Sequence, residues 1–106
     1  MDKRAALKAV AEFRKAIEKQ GIKVNRLVLF GSFATGKHHK YSDIDLVVIS
    51  RDFKGMDFWA RVQILGRAVS EVLQPIEATA LTPEEWDRED SRIVEFAKEG
   101  EVVYGA

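Results

Sequence analysis

The chain has 106 residues, 46% of them hydrophobic and 32% charged, with 17 Lys/Arg balanced by 17 Asp/Glu and no cysteine. These proportions fit a single globular domain over residues 1–106 and exclude a disordered or membrane-bound chain; no apolar run exceeds four residues, so neither a transmembrane helix nor a secretory signal core can be placed, and the cytoplasm is the expected location. Without cysteine, disulfides, thiolate catalysis and cysteine-based zinc sites are excluded, so any metal must take oxygen ligands or histidine.

In chain order, Ala6, Val10, Phe13 and Ile17 recur at helical spacing within residues 2–19, and Gly21 follows as a stop signal. Arg26–Phe30 reads as a buried strand ending at Gly31. Ile44–Ser50 is a second strand, apolar on both faces, as expected for one covered on both sides. A loop over Arg51–Met56 leads to a helix from Asp57 to about Leu73, marked by Phe58, Val62, Leu65, Val69 and Val72. Pro75 ends it. Ile76–Leu81 is a third strand carrying one charge, Glu77, near its start. Thr82-Pro83-Glu84-Glu85 is a capping box that opens a helix running to Glu99 with a break near Ser91. Val102–Tyr104 closes an edge. This order predicts an α/β (α+β) fold: a small mixed sheet of three to four strands with helices packed on it. The first two strands are antiparallel in this reading, because the loop between them is too short for a crossover helix.

Charge is unevenly spread, with eight Lys/Arg against three acids in residues 1–26 and eight acids against three Lys/Arg in residues 82–101. Solvated helix faces produce such polarity, and no basic surface with interleaved aromatics argues for direct nucleic-acid binding.

Chemistry concentrates in Gly31–Val48. Gly31-Ser-Phe-Ala-Thr-Gly36-Lys37 matches the first seven positions of a phosphate-loop pattern, but the eighth, which needs a hydroxyl for magnesium, is His38. The sustained helix of that mechanism is also missing. Asp43 and Asp45, two residues apart at a strand, project from one face. Two anions so close in an apolar strand are costly unless a cation lies between them or water fully solvates them; a divalent cation is the expected remedy, and oxygen ligands favour magnesium or manganese. The further ligand positions of a calcium loop fall on Val47 and Val48, which excludes that alternative. Gly31-Ser32, at a strand end where a helical turn can begin, offers amides and a hydroxyl to an anion. Ten residues separate Ser32 from Asp43, enough to turn through Gly36 and bring phosphate seat and metal site together. Glu77 on a neighbouring strand would complete an oxygen cluster for two-metal phosphoryl or nucleotidyl transfer.

Gly31-Ser32, ten residues, then Asp43-x-Asp45 resembles the signature of the DNA polymerase β-type nucleotidyltransferase superfamily. The fuller string G-S-x-A-x-G-x5-S-D-I-D-L-x-V is similar to its minimal branch, the small MNT proteins, many of them antitoxins paired with HEPN-domain toxins. The resemblance implies a nucleotidyltransferase fold, with Gly31 and Ser32 on the triphosphate of ATP and Asp43 and Asp45 holding two Mg2+ ions, or Mn2+ in their place. Glu77 would be the third carboxylate. The family more often has aspartate there, so whether Glu77 is a ligand or the base for the acceptor hydroxyl stays open. The implied reaction moves AMP from ATP to a hydroxyl, in the paired systems a tyrosine of the HEPN toxin. A catalytically weak or inactive subunit that neutralises a partner by docking is the alternative, and self-association through the edge strand or the acidic C-terminal helix is left open.

Other residues have plainer readings. His38 and His39 are expected to be wet loop residues. Ser42 should brace the aspartate turn. Lys37 and Lys40 either draw in phosphate or are simply solvated. Trp59 and Trp86 are read as core or interface anchors.

Overall fold

The order of elements is α1 (Lys3–Glu18), β1 (Arg26–Phe30), α2 (Ser32–Thr35), β2 (Ile44–Ile49), a 3-10 turn (Arg51–Phe53), α3 (Phe58–Val72), β3 (Ile76–Leu81), α4 (Pro83–Arg88), α5 (Arg92–Ala97) and β4 (Glu101–Tyr104). The structure is a computed structural model and describes residues 1–89 and 91–105.

Local chemistry places most boundaries. The Asp2 and Asp57 carboxylates accept from Ala5 N and Ala60 N and start α1 and α3. Thr82 and Glu85 form the reciprocal capping box of α4, with Pro83 in its first turn. The expected break falls at Glu89, which adopts a left-handed conformation at φ 54, and Ser91 caps α5 through Val94 N.

The sheet runs β3-β2-β1-β4. β1 is antiparallel to both β2 and β4, whereas β2 and β3 are parallel, which requires the crossover that α3 supplies. Alternation in β2 divides the core. Ile44, Leu46 and Val48 join Phe13, Ile17 and Phe53 in the large cluster under α1 and α3. Val47 and Ile49 point the other way and meet Val28, Leu81, Val94 and Ala97 beneath α4 and α5.

The two tryptophans part company. Trp86 is half-buried and packs on the smaller cluster, as a core anchor should. Trp59 is 68% exposed, so the core reading fails for it; its ring meets Phe58, itself 68% exposed, edge to face. Only Leu65 and Ala68 of α3 are fully buried, with Ile64, Val69 and Val72 partly so. The apolar stripe of α3 therefore outruns the helix and strand it packs on, and its first turn faces outward.

Candidate active site

The edge of β1 nearest α2 ends in Gly31, whose backbone sits at φ 73, ψ −152, a region open essentially only to glycine. The reason for glycine is also spatial. A Cβ here would lie 2.2 Å from Asp45 Oδ2. Ser32 then begins α2, and no side chain caps the first amides of this turn. Gly36, left-handed at φ 78, closes it, with Lys37 N donating to Ser32 O at 3.0 Å.

Asp45 stands opposite Phe30 of β1 and beside Glu77 of β3 in the register of the sheet. Its side chain shares a face with Val47 and Ile49, so it lies on the same side of the sheet as α4 and α5. Asp43 lies one residue before β2, exposed, and adds its charge to the same place.

Burial pushes the Asp45 carboxyl up to about 6 from its ordinary 3.8, aided by a hydrogen bond to Glu77 and the negative charges of Glu77 and Asp43. The sheet register sets Asp45 beside Glu77, so the two carboxyl groups crowd one another. The structure thus sets Gly31 against Asp45, Glu77 beside Asp45 in the sheet register, and Asp43 two residues before Asp45, residues spread over 47 positions of the chain. Among the described residues no three His, Cys, Asp or Glu side chains stand in a ready-made metal geometry. Asp45 and Glu77 are register partners on neighbouring strands, while Asp43 acts through its charge. The donor set nevertheless fits a divalent cation in its chemistry: all oxygen, with carboxylates paired by register whose mutual repulsion a cation would relieve.

His38 departs from expectation. It is half-buried, and its ring stacks on Phe33 with centroids 4.4 Å apart and planes 15° from parallel. Its Nδ1 is buried without a hydrogen-bond partner among the described residues. The available signal was the left-handed glycine between the two rings, which folds the chain back onto α2. His39 is exposed as expected, its Nδ1 accepting from Tyr41 N, and Ser42 Oγ accepts from His39 N at 2.8 Å, a brace for the aspartate turn.

One residue beyond Glu77, a groove of about 590 Å³ runs along β3 from Ala78 to Leu81, walled by Phe58, Val62 and Leu65 of α3. Its mouth carries the exposed Phe58 and Val62.

The family model for a nucleotidyltransferase domain matches residues 10–103. No curated protein matches the chain. Among solved structures, a candidate nucleotidyltransferase of Sulfolobus solfataricus superposes with a TM-score of 0.72 at 21% identity, over 94% of this chain and 80% of its own. A chain in a toxin–antitoxin complex with AMP-PNP gives a TM-score of 0.63 at 22% identity, covering 94% of this chain and 73% of that one. A chain in the Shewanella oneidensis complex of a tri-AMPylated HEPN toxin with its MNT antitoxin gives 0.58 at 19% identity, covering 98% and 73%. These likenesses show a shared fold.

Proposed function

The chain belongs to the nucleotidyltransferase domain family, and from that premise we propose that it is an MNT-type antitoxin that moves AMP from ATP to a hydroxyl of a HEPN-domain partner, a tyrosine. The single observation that carries this reading is Asp45 packed against the side-chain-free Gly31 and paired in register with Glu77, with Asp43 two residues before it.

In this reading the amides and hydroxyl of Gly31-Ser32 seat the triphosphate, and Asp43, Asp45 and Glu77 would hold magnesium. Magnesium bound there supplies Lewis-acid polarisation of the phosphate and neutralises charge on the leaving group. The acceptor oxygen bonds in line to the α-phosphorus as the bond to the β-phosphate oxygen breaks, so AMP moves and pyrophosphate departs. Glu77, exposed at the rim of the site, would serve either as the third ligand or as the group that takes up the hydroxyl proton. Gly31 lets the carboxylate of Asp45 approach the phosphates without a side chain between them.

The partner role rests on two supports: similar folds occur in complexes of HEPN toxin and MNT antitoxin, and an apolar groove starts one residue from Glu77. The groove wraps the β3 edge from α3 to Glu85, Ser91 and Ile93 on the carboxylate side of the sheet, so an acceptor carried on a docked protein would approach the carboxylates around that edge.

The test incubates the full chain with α-labelled ATP, magnesium and the HEPN-domain product of a neighbouring gene. Label on the partner that disappears in Asp43→Asn is the expected result. A stable complex that never becomes labelled with any divalent metal would overturn the enzyme reading and leave a protein that neutralises by docking.

A further inference from the structure

Asp43 is the carboxylate whose place the sheet does not set. Asp45 is locked into β2 and Glu77 into β3 by register, but β2 begins at Ile44, so Asp43 hangs on the segment that returns from α2. That segment braces itself internally. His39 N donates to Ser42 Oγ, Ser42 N to His39 O, Tyr41 N to His39 Nδ1, and the Lys40 ammonium lies over the Tyr41 ring. Tyr41 is 79% exposed and contributes no anchor. Between the Lys37 amide, tied to α2, and Ile44, the contact that joins a side chain of the segment to the core among the described residues is the His38 ring on Phe33, which is fully buried.

We propose that His38 is a positioning residue, its ring stacked on Phe33 holding the return segment so that Asp43 stands level with Gly31 and Asp45. The inference rests on the reading of these residues as a magnesium–nucleotide site and adds a residue to it. The stack, not the polarity of the ring, does the holding. Nδ1 has no hydrogen-bond partner among the described residues, and the near-parallel rings bury flat apolar area against each other. Phenylalanine should therefore replace His38, and alanine should not. Residues that orient a ligand without touching the metal commonly alter affinity by about 10-fold to 100-fold.

The test is calorimetric titration of the full chain with Mg2+ and AMP-PNP. His38→Ala should weaken magnesium-dependent nucleotide binding about tenfold, and His38→Phe should restore it. In an Asp43→Asn background the His38→Ala change should cost nothing further, because Asp43 is the group it positions. A purely structural role predicts the same loss in both backgrounds, and that additive result would overturn the proposal, as would wild-type affinity in His38→Ala. If the wild-type chain binds no magnesium–nucleotide at all, the reading of the site fails together with the inference; if it binds in an Asp43-dependent way but ignores His38, only the inference falls.

Discussion

Gly31 and Asp45 occupy one space: a single Cβ on the glycine would fall 2.2 Å from the carboxylate oxygen. The same glycine holds φ 73, ψ −152, so alanine there is opposed twice, once by the backbone and once by Asp45. Gly31→Ala should lower stability by about 2 kcal/mol and abolish AMP transfer. Chemical denaturation and the labelled-ATP assay check this, and a variant as stable and active as the wild type would mean that Asp45 can turn away freely.

The raised Asp45 group sets a pH dependence for the metal-free protein. The folded state keeps this proton up to about 6, while the unfolded chain releases it near 3.8, so the stabilisation is complete below 3.8 and is lost as pH rises through 6. With Asp45 only half-buried, the solvent-screened effect is about 1 kcal/mol. Asp45→Asn should lack this decline and be the more stable of the two at pH 7.5. Parallel curves for both proteins from pH 4 to 7.5 would contradict the assignment.

Arg61 ties three elements together. Its guanidinium donates to Met56 O at 3.1 Å, Phe53 O at 3.0 Å, Ala80 O at 3.2 Å and Glu85 Oε1 at 2.7 Å. Lysine cannot reproduce that fork, so Arg61→Lys should cost about 2 kcal/mol in urea denaturation despite keeping the charge. Burial pushes the Glu85 carboxyl up, but the bond from Thr82 N and the bond and charge of Arg61 outweigh it and hold the group below 4.5. Its stabilisation is present above pH 4.5 and fades as pH falls through the depressed value, so Glu85→Gln should flatten the acid limb of the stability profile.

The two tryptophans predict opposite phenotypes. Trp86→Ala removes a ring packed on the smaller core cluster and should cost about 2–3 kcal/mol in thermal unfolding. Trp59→Ser should leave stability within about 0.5 kcal/mol, because the side chain is 68% exposed. If the α3 groove receives the partner, Phe58→Ser, which changes its exposed wall, should instead reduce co-purification with the HEPN protein. Equal stability losses in the two tryptophan variants would show that Trp59 is held by the fold.

Much of this molecule was legible before any coordinates. Arg26–Phe30 and Ile76–Leu81 are strands over the residues their branched and aromatic content marks out, and the Thr82 capping box starts its helix where the motif says. Caps, turns and alternation are local chemistry, written within a few residues of the places they act. The outward first turn of α3 was not legible, because a helical stripe records which face is apolar and not how far its neighbour extends. The stack of His38 on Phe33 was only half legible for a related reason, since Gly36 marks the turn but not the path taken after it.

By its own order the sequence determined that a glycine-serine turn follows one strand and that a D-x-D pair opens the next. It could not determine that Glu77, more than thirty residues beyond, would stand beside Asp45. That was decided by the parallel register of β2 and β3, which pairs Ile44 with Ile76 and Asp45 with Glu77. Register is set by burial: a slip of one residue would turn Glu77 into the main core and Ile76 out of it, and only the packed sheet and its crossover helix can weigh that cost.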